Sequence, residues 1–326
     1  MRSPRPPRPS RDDPASTTAR RLAPSGPKIA TPRRPAGPFH FFGAGHRAFT
    51  SIAGMSSTAV SPELIEQFAA DGVVCVRNVL DPDQVAAAAQ AIEQVLADPS
   101  PLAQVASGDD DPGSFFEDFC RWTSIPSIEQ LARKSAVPEI AGRLMRTRQV
   151  RFYHDHVLVK EGATRQRTPW HQDQPYYNVE GRGVSAWIPV DPVPREGCLE
   201  VVAGTHHGPW LMPRTFLTGE AKWFPEGSLL ELPDIDADPS AYDIRNYDLQ
   251  PGDAIFFDFL SVHGAPGFPF ESRRRVLSLR YLSDEVRHAP RRWRTSPPFE
   301  DLEAQLPTGA PMDHPLFPVV WTNPAR

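Results

Sequence analysis

The sequence predicts a mainly β fold with α-helices gathered at its N-terminal side, and two observations carry this prediction. From about residue 149 onward, short runs rich in β-branched and aromatic residues alternate with turns rich in proline and glycine. Ahead of that point, apolar residues recur at helical spacing behind capping residues. Many short strands joined by such turns are typical of a β-sandwich or barrel, and the helices would cover one sheet from outside.

The helical part begins with two helices that carry start signals. Ser61–Glu63 supplies an N-cap, a proline at the first helical position and an acid in the first turn, and Asp71-Gly72 ends this helix. Asp81–Asp83 repeats the arrangement for a second helix that extends through Ala97. We predict a loop at 98–114, which is rich in Asp, Pro, Gly and Ser, and short helices near 126–134 and 137–146.

The strand prediction rests on short runs in which β-branched or aromatic side chains dominate. The predicted strands are Val73–Val76, Gln149–Lys160, Ser185–Val190, Cys198–Val202, Ala254–Val262 and Arg274–Tyr281. The polar stretch 211–250 lacks such a signal. We expect it to form a lid or a binding loop, as long loops in compact domains frequently do.

The first 60 residues differ in composition from the rest of the chain. They hold ten of the 35 basic residues but only two of the 40 acidic ones, which leaves 25 basic and 38 acidic residues in 61–326. We expect 1–60 to be a disordered, basic, proline-rich extension and 61–326 to be a single domain with N-terminal helices. Two alternatives stay open for the extension: translation could start at Met55, or the segment could be an organellar transit peptide. Its ten prolines disfavour the second, because they prevent an amphipathic helix.

The composition of the body excludes several classes of protein. An acidic body argues against nucleic acid or an anionic membrane surface as the main partner. No run approaches the roughly 20 apolar residues of a membrane span. Cys75, Cys120 and Cys198 are odd in number and far apart, which suits neither a disulfide framework nor a zinc site. We therefore expect a cytoplasmic protein with reduced thiols, with organellar targeting by residues 1–54 as the less favoured alternative.

Three residues form a candidate metal site. In Trp170–Gln174, His171 and Asp173 stand two apart, so on an extended strand they would point to the same side. A His-x-Asp pair alone is a weak signal, but His263 follows an apolar strand and precedes a glycine, as suits a ligand at the mouth of a barrel. Two histidines and one carboxylate leave three metal positions open, which favours non-haem iron(II) and oxygen chemistry. Closed tetrahedral zinc would need a fourth protein ligand.

Arg274 opens the last predicted strand and is the candidate anchor of an anion. On that strand it shares a face with Ser278 and Arg280, while Leu277 and Leu279 lie on the other. An arginine that points into a barrel needs a counter-charge, because an unpaired buried cation is costly. A guanidinium matches a carboxylate through two parallel hydrogen bonds, and the far carboxylate of 2-oxoglutarate meets this need. The alternative is that Arg274 belongs to a solvated basic turn with its neighbours.

Taken in order, these residues resemble the phytanoyl-CoA dioxygenase family of iron(II)- and 2-oxoglutarate-dependent oxygenases. The resemblance covers about residues 61–285 and rests on an ordered set of motifs rather than on any single one. The motifs are Phe68–Val74, Trp170–Gln174, Ala186-Trp187, Gly197–Leu199, Gly204–His206, Gly252-Asp253, His263 and Arg274. One position departs from the pattern: some relatives carry a serine two residues after the distal histidine, where this chain has Ala265.

The resemblance implies a double-stranded β-helix (a jelly-roll, cupin-like core) with helices packed against its major sheet. It further implies that His171, Asp173 and His263 bind iron, that Arg274 binds 2-oxoglutarate, and that His156 and Trp187 line the co-substrate pocket. His154 and His156 form a rival pair of ligands two apart on a strand, but no carboxylate shares their face.

The implied activity is hydroxylation of an unactivated C–H bond of a small molecule, with dioxygen consumed and succinate and CO2 released. The presence of Asp173 favours hydroxylation over halogenation, because related halogenases replace this carboxylate with a small residue. The alternative is a cupin-type metal-binding protein that is non-catalytic or does not depend on 2-oxoglutarate. Neither the primary substrate nor the oligomeric state follows from the sequence.

Overall fold

The computed structural model describes residues 60–213 and 229–324, and the predicted extension at 1–60 therefore lies, except for Val60, outside the described residues. No helix in the described part is long and apolar enough to cross a membrane. The described α-helices are α1 (Pro62–Asp71), α2 (Pro82–Ala97), α3 (Pro126–Lys134), α4 (Val137–Leu144) and α5 (Leu302–Gln305).

The β-strands are short, and most lie in the second half of the chain, as predicted. They are β1 (Val73–Val76), β2 (Gln104–Val105), β3 (Phe115–Phe119), β4 (Gln149–Lys160), β5 (Thr168–His171), β6 (Val179–Glu180), β7 (Gly183–Pro189), β8 (Glu200–Val202), β9 (Ile244–Arg245), β10 (Ala254–Asp258), β11 (His263–Ala265), β12 (Arg274–Ser283), β13 (Arg287–His288) and β14 (Val319–Thr322).

The strands form two main antiparallel sheets. The major sheet has the order β1-β10-β7-β12-β4-β3-β2, with β14 also paired to β4, and the minor sheet has the order β5-β11-β8-β9. β6 and β13 form a separate two-stranded ribbon. Non-sequential neighbours such as β10 and β7 are typical of a jelly roll, so the predicted fold class is confirmed.

The first two helices begin at the predicted residues for the predicted reasons. The Ser61 side chain accepts a hydrogen bond from the backbone of Leu64, and Gly72 ends α1 with a left-handed φ of 72°. Asp81 and Gln84 form a reciprocal capping box at the start of α2. These local signals fix where the two helices begin and where α1 ends. Because β1 starts directly after Gly72, the end of α1 also sets where the chain enters the sheet.

Two apolar cores lie on opposite faces of the major sheet. The helices bury Phe68, Ile92 and Ile128 against one face, where Leu277 and Leu279 of β12 also lie. The other face packs on the minor sheet through a second cluster. That cluster comprises Val73, Trp187, Val193, Cys198, Leu199, Val201, Leu249, Ile255, Phe257, Ala265 and Val276. A cavity lies on this second side of the sheet, and Trp187 and Phe257 of the second cluster both line it.

Two predicted elements differ from the observed ones. The predicted strand Ala254–Val262 ends at Asp258, because Asp258 makes a tight turn: its carboxylate accepts from the backbone of Leu260 and its carbonyl from that of Ser261. The chain then re-enters the minor sheet as β11. The predicted loop 98–114 contains the two-residue strand β2, and β3 follows it unpredicted because Glu117 and Asp118 interrupt its apolar pattern.

Candidate metal centre and its cavity

His171 and Asp173 lie where the minor sheet ends, in a different backbone arrangement from the one predicted. β5 ends at His171, and Asp173 has helical backbone angles (φ −74°, ψ −40°) ahead of a short 3-10 turn at Gln174–Tyr176. The turn is held in place because the backbone N–H of Asp173 donates to the carbonyl of Phe259 at 2.9 Å. The expectation that both residues lie on one extended strand is therefore wrong, although their side chains do meet.

His263 is the first residue of β11 and pairs with His171 across the two strands. Residues directly opposite each other in an antiparallel pair project to the same face of the sheet. The two imidazole rings accordingly lie with their centroids 4.2 Å apart. All three candidate ligands are nearly buried: His171 is 9% exposed, Asp173 5% and His263 4%.

The three side chains converge on one point. The Nε2 atoms of His171 and His263 each lie 3.8 Å from Oδ1 of Asp173. All three ligand atoms lie within 4.8 Å of one another. Two ligand atoms that share a metal at bond lengths of about 2.1 Å are at most about 4.2 Å apart, so both carboxylate–imidazole distances fit one ion.

Hydrogen bonds to backbone carbonyls orient both imidazole rings for metal binding. Nδ1 of His171 lies 2.7 Å from the carbonyl of Pro169, and Nδ1 of His263 lies 2.9 Å from that of Ser261. A carbonyl only accepts, so each Nδ1 carries the proton and each Nε2 directs its lone pair at Asp173. Burial also lowers the pKa of His263, which keeps its imidazole neutral.

The carboxylate of Asp173 is fixed through its other oxygen. Ser185 Oγ donates to Oδ2 at 2.7 Å, and Nη2 of Arg280 lies 3.8 Å from the same oxygen. Burial alone would raise the pKa of Asp173, but the charge of Arg280 and the Ser185 hydrogen bond hold it well below its usual value. Asp173 is therefore ionised and presents Oδ1 to the metal position.

Arg280 belongs to a buried polar chain that links Asp173 to Glu117. It donates through Nε to the Tyr177 hydroxyl at 2.9 Å, and its Nη2 lies 3.3 Å from Nδ1 of His156. Because a guanidinium only donates, Nδ1 of His156 accepts, and Nε2 carries the proton towards Glu117, 3.1 Å away. A neutral imidazole thus bridges a buried cation and a buried carboxylate.

Arg274 lies elsewhere along β12 in a different environment. It is 2% exposed, donates to the carbonyl of Gly197, and lies over the ring of Trp187 with 5.4 Å from Cζ to the centroid. Its Nε has no hydrogen-bond partner among the described residues, and burial lowers its pKa to about 10. In 60–213 and 229–324, no carboxylate oxygen lies within 4.0 Å of its guanidinium nitrogens. Arg274 is a buried cation that lacks a protein counter-charge in this part of the chain.

One cavity between the sheets brings together all six residues proposed from the sequence. His171, Asp173 and His263 line it together with Arg274, His156 and Trp187. The remaining lining residues are Gln104, Glu117, Phe119, Leu158, Thr168, Tyr176, Tyr177, Leu199, Phe257, Ala265, Ser278, Arg280 and Ser296. Residues of both main sheets contribute to it.

The sequence did not identify Ser185 or Glu117 as part of the site. Ser185 lies in an apolar strand, where a single serine is an ordinary occurrence, and Glu117 lies on the unpredicted strand β3. A signal for Ser185 does exist in the alternation of β7, since Trp187 two residues later also faces the cavity.

A jelly roll that carries two histidines and one carboxylate on a buried cavity defines the class of mononuclear-metal cupin-like proteins. A family model described as phytanoyl-CoA dioxygenase (PhyH) matches residues 68–276, which is more than half of the chain. The chain therefore belongs to the phytanoyl-CoA dioxygenase family, as its motifs predicted.

Two curated relatives share part of the sequence. A probable phytanoyl-CoA dioxygenase of Caenorhabditis elegans is 30% identical over 137 residues, which cover 38% of this chain and 39% of the relative. The peroxisomal phytanoyl-CoA dioxygenase of Rattus norvegicus is 26% identical over 184 residues, covering 53% and 48%. The match thus spans less than half the length of either relative.

Several solved structures share the fold. SnoK, a non-heme alpha ketoglutarate dependent carbocyclase from nogalamycin biosynthesis, superposes with a TM-score of 0.64 at 22% identity, over 82% of this chain and all of SnoK. The epimerase SnoN, in complex with Fe3+, alpha ketoglutarate and nogalamycin RO, gives 0.60 at 20% identity, over 79% and 98%. EctD from S. alaskensis gives 0.53 at 20% identity, over 71% and 79%.

Proposed function

We propose that the protein is an iron(II)- and 2-oxoglutarate-dependent dioxygenase that hydroxylates an unactivated C–H bond of a small molecule. One observation carries this proposal: a single cavity holds a two-histidine, one-carboxylate donor set and, beside it, a buried arginine without a carboxylate partner in the described residues. Family membership and the iron and alpha ketoglutarate bound by the structural relative SnoN support the same assignment.

The residues present fit the two cofactors. His171 and His263, each with its Nδ1 proton held by a carbonyl, and the ionised Asp173 would hold iron(II) and leave three coordination positions open. Arg274 would bind the far carboxylate of 2-oxoglutarate, which supplies its missing counter-charge. Trp187 covers the guanidinium and would exclude water from that ion pair.

When bound, iron and 2-oxoglutarate supply the oxidising chemistry, in which one oxygen atom of dioxygen enters the substrate as a hydroxyl group and the other enters succinate, with loss of CO2. The chain supplies position and polarity. Ser185 and Arg280 keep Oδ2 of Asp173 occupied, so Oδ1 is the oxygen that would hold the iron. The aromatic side chains of the lining keep the cavity largely apolar, which protects the reaction from water.

Dioxygen-dependent formation of succinate tests the proposed function. We expect the iron-loaded protein to convert 2-oxoglutarate to succinate and CO2, and we expect His171→Ala to abolish this conversion. Iron binding without any succinate formation would instead favour a non-catalytic or 2-oxoglutarate-independent cupin. SnoK and SnoN are described as a carbocyclase and an epimerase, so succinate formation alone does not establish hydroxylation. With isotopically labelled dioxygen, the product of the primary substrate must gain one labelled oxygen atom.

A further inference from the structure

Lys160 is a completely buried lysine that the proposed mechanism leaves unused. It is the last residue of β4 and has no exposed surface. Its Nζ lies 4.7 Å from the centroid of the Phe115 ring, and in the described part of the chain no carboxylate oxygen lies within 4.0 Å of it. Lysine is almost never fully buried without a charged partner, so this position needs an explanation.

Lys160 stands directly opposite Arg274, the proposed anchor of 2-oxoglutarate. The two residues are register partners in the antiparallel pairing of β4 with β12, and such partners project to the same face of the sheet. Two buried cations thus lie side by side. Burial, reinforced by the charge of Arg274, lowers the pKa of Lys160 well below its usual value. An anion bound at this end of the cavity would offset the electrostatic repulsion between the two groups.

The ammonium group of Lys160 also joins the two segments next to the metal strands. It donates to the carbonyl of Gln166 at 2.7 Å, ahead of β5, and to that of Pro266 at 2.8 Å, just after β11. A third carbonyl, that of Ala265, lies 3.4 Å away. Ala265 lines the cavity, whereas Lys160 does not. Lys160 therefore reaches the cavity wall through the backbone of Ala265 and through its charge.

We propose that Lys160 is a positioning residue for the anionic end of the co-substrate. With Arg274 it forms a pair of buried cations that favours the far carboxylate of 2-oxoglutarate. Its hydrogen bonds also hold the Ala265-Pro266 segment against that end of the cavity. This inference rests on the proposed function.

The test compares Lys160→Met with Lys134→Met, a matched substitution at an exposed lysine of α3. The probes are 2-oxoglutarate, titrated anaerobically with iron(II), and cobalt(II) alone. We expect Lys160→Met to weaken 2-oxoglutarate binding about tenfold or more, the effect of losing one unit charge roughly 10 Å from an anion in a protein interior. Cobalt(II) affinity should not fall, because the metal ligands are untouched, and Lys134→Met should behave like the wild type in both titrations.

If Lys160→Met does not fold, Lys160→Gln takes its place, because glutamine keeps N–H donors for the backbone carbonyl groups while removing the charge. Unchanged 2-oxoglutarate affinity in the folded variant would overturn the inference. A parallel loss of cobalt(II) and 2-oxoglutarate affinity would also overturn it, since Lys160 would then only hold the two metal strands together. A wild-type protein that binds no 2-oxoglutarate would instead refute the proposed function itself.

Discussion

Ser185 Oγ donates to Oδ2 of Asp173 at 2.7 Å, from the major sheet to the turn that follows the minor sheet. Together with the charge of Arg280, 3.8 Å from the same oxygen, this hydrogen bond leaves Oδ1 to face the two histidines. Ser185 itself has no exposed surface, so its hydroxyl group has little freedom to turn away. In the proposed metal site, the orientation of Asp173 therefore depends on Ser185, which is not itself a proposed ligand.

Ser185→Ala should weaken metal binding about tenfold or more, the usual effect of removing a hydrogen bond to a metal ligand. The reason is that Oδ2 loses its 2.7 Å hydrogen bond and is then held only loosely by the charge of Arg280, 3.8 Å away. Cobalt(II) titration of the metal-free protein measures the change. Ser278→Ala is the matched control: Ser278 is a buried cavity serine on the neighbouring strand, and its Oγ has no hydrogen-bond partner within 60–213 and 229–324. Equal affinities in the two variants would contradict the assigned role of Ser185.

Trp187→Leu should weaken 2-oxoglutarate binding roughly five- to thirtyfold, because a desolvated cation–π contact contributes about 1–2 kcal/mol. Trp187 covers the guanidinium of Arg274, and leucine would remove the aromatic face. Trp187→Phe keeps an aromatic ring and should lose less. The measurement is the dissociation constant of 2-oxoglutarate in the anaerobic iron complex. If Trp187→Phe binds 2-oxoglutarate as weakly as Trp187→Leu does, the shape of the indole matters here rather than its aromatic character.

Gly72→Ala should destabilise the protein more than Gly309→Ala, although both glycines have similar positive φ values, 72° and 78°. A Cβ at Gly72 would lie 2.4 Å from Nδ1 of His206 and 2.5 Å from Oγ of Ser261, whereas one at Gly309 meets nothing within 4 Å. Gly309→Ala therefore measures backbone strain alone, about 1 kcal/mol. Chemical denaturation gives both free energies of unfolding. Equal losses would mean that His206 and Ser261 move aside at no cost.

The metal-free protein should lose stability as the pH falls from about 7 towards 6. Burial lowers the pKa values of His154, His156 and His263 below the ordinary 6.5, so the unfolded chain takes up protons that the folded chain refuses. Each of these histidines contributes at most about 1.4 kcal/mol per pH unit.

The same pH dependence should become shallower below about pH 6. Burial raises the pKa values of Asp155 and Asp258 to about 6, so in this range the folded chain takes up protons that an unfolded carboxylate, with a pKa near 3.8, does not. Their contribution therefore opposes that of the histidines. Urea unfolding at a series of pH values, with a chelator present, measures the profile. Stability that rises on acidification from pH 7 to 6 would contradict the neutral state of the buried histidines.

The sequence predicted the parts of this fold that local chemistry determines. The helix starts at Ser61 and Asp81, the long strand β4 and the strand of Arg274 follow from capping residues and side-chain patterns within a few residues. The family resemblance then placed His171, Asp173, His263 and Arg274 in one site, and the structure brings their side chains to one cavity.

The remaining features depend on contacts between residues far apart in the chain. Asp173 leaves the strand because its backbone N–H bonds to Phe259, a partner that no local pattern specifies. Lys160 ends an apolar run, where a lysine ordinarily reaches solvent; only the packing of β3 and β12 beside it makes it buried. The pairing of Glu117 with His156 likewise required a strand whose own sequence is too acidic to predict it.

Anaerobic titration of the metal-free protein with iron(II) and 2-oxoglutarate tests whether this cavity holds both cofactors. We predict a weak visible charge-transfer band from the iron–2-oxoglutarate chelate, which is lost in His171→Ala and absent or strongly weakened in Arg274→Ala. Iron that binds at His171, Asp173 and His263 without producing the band, or a band that survives Arg274→Ala unchanged, would contradict it.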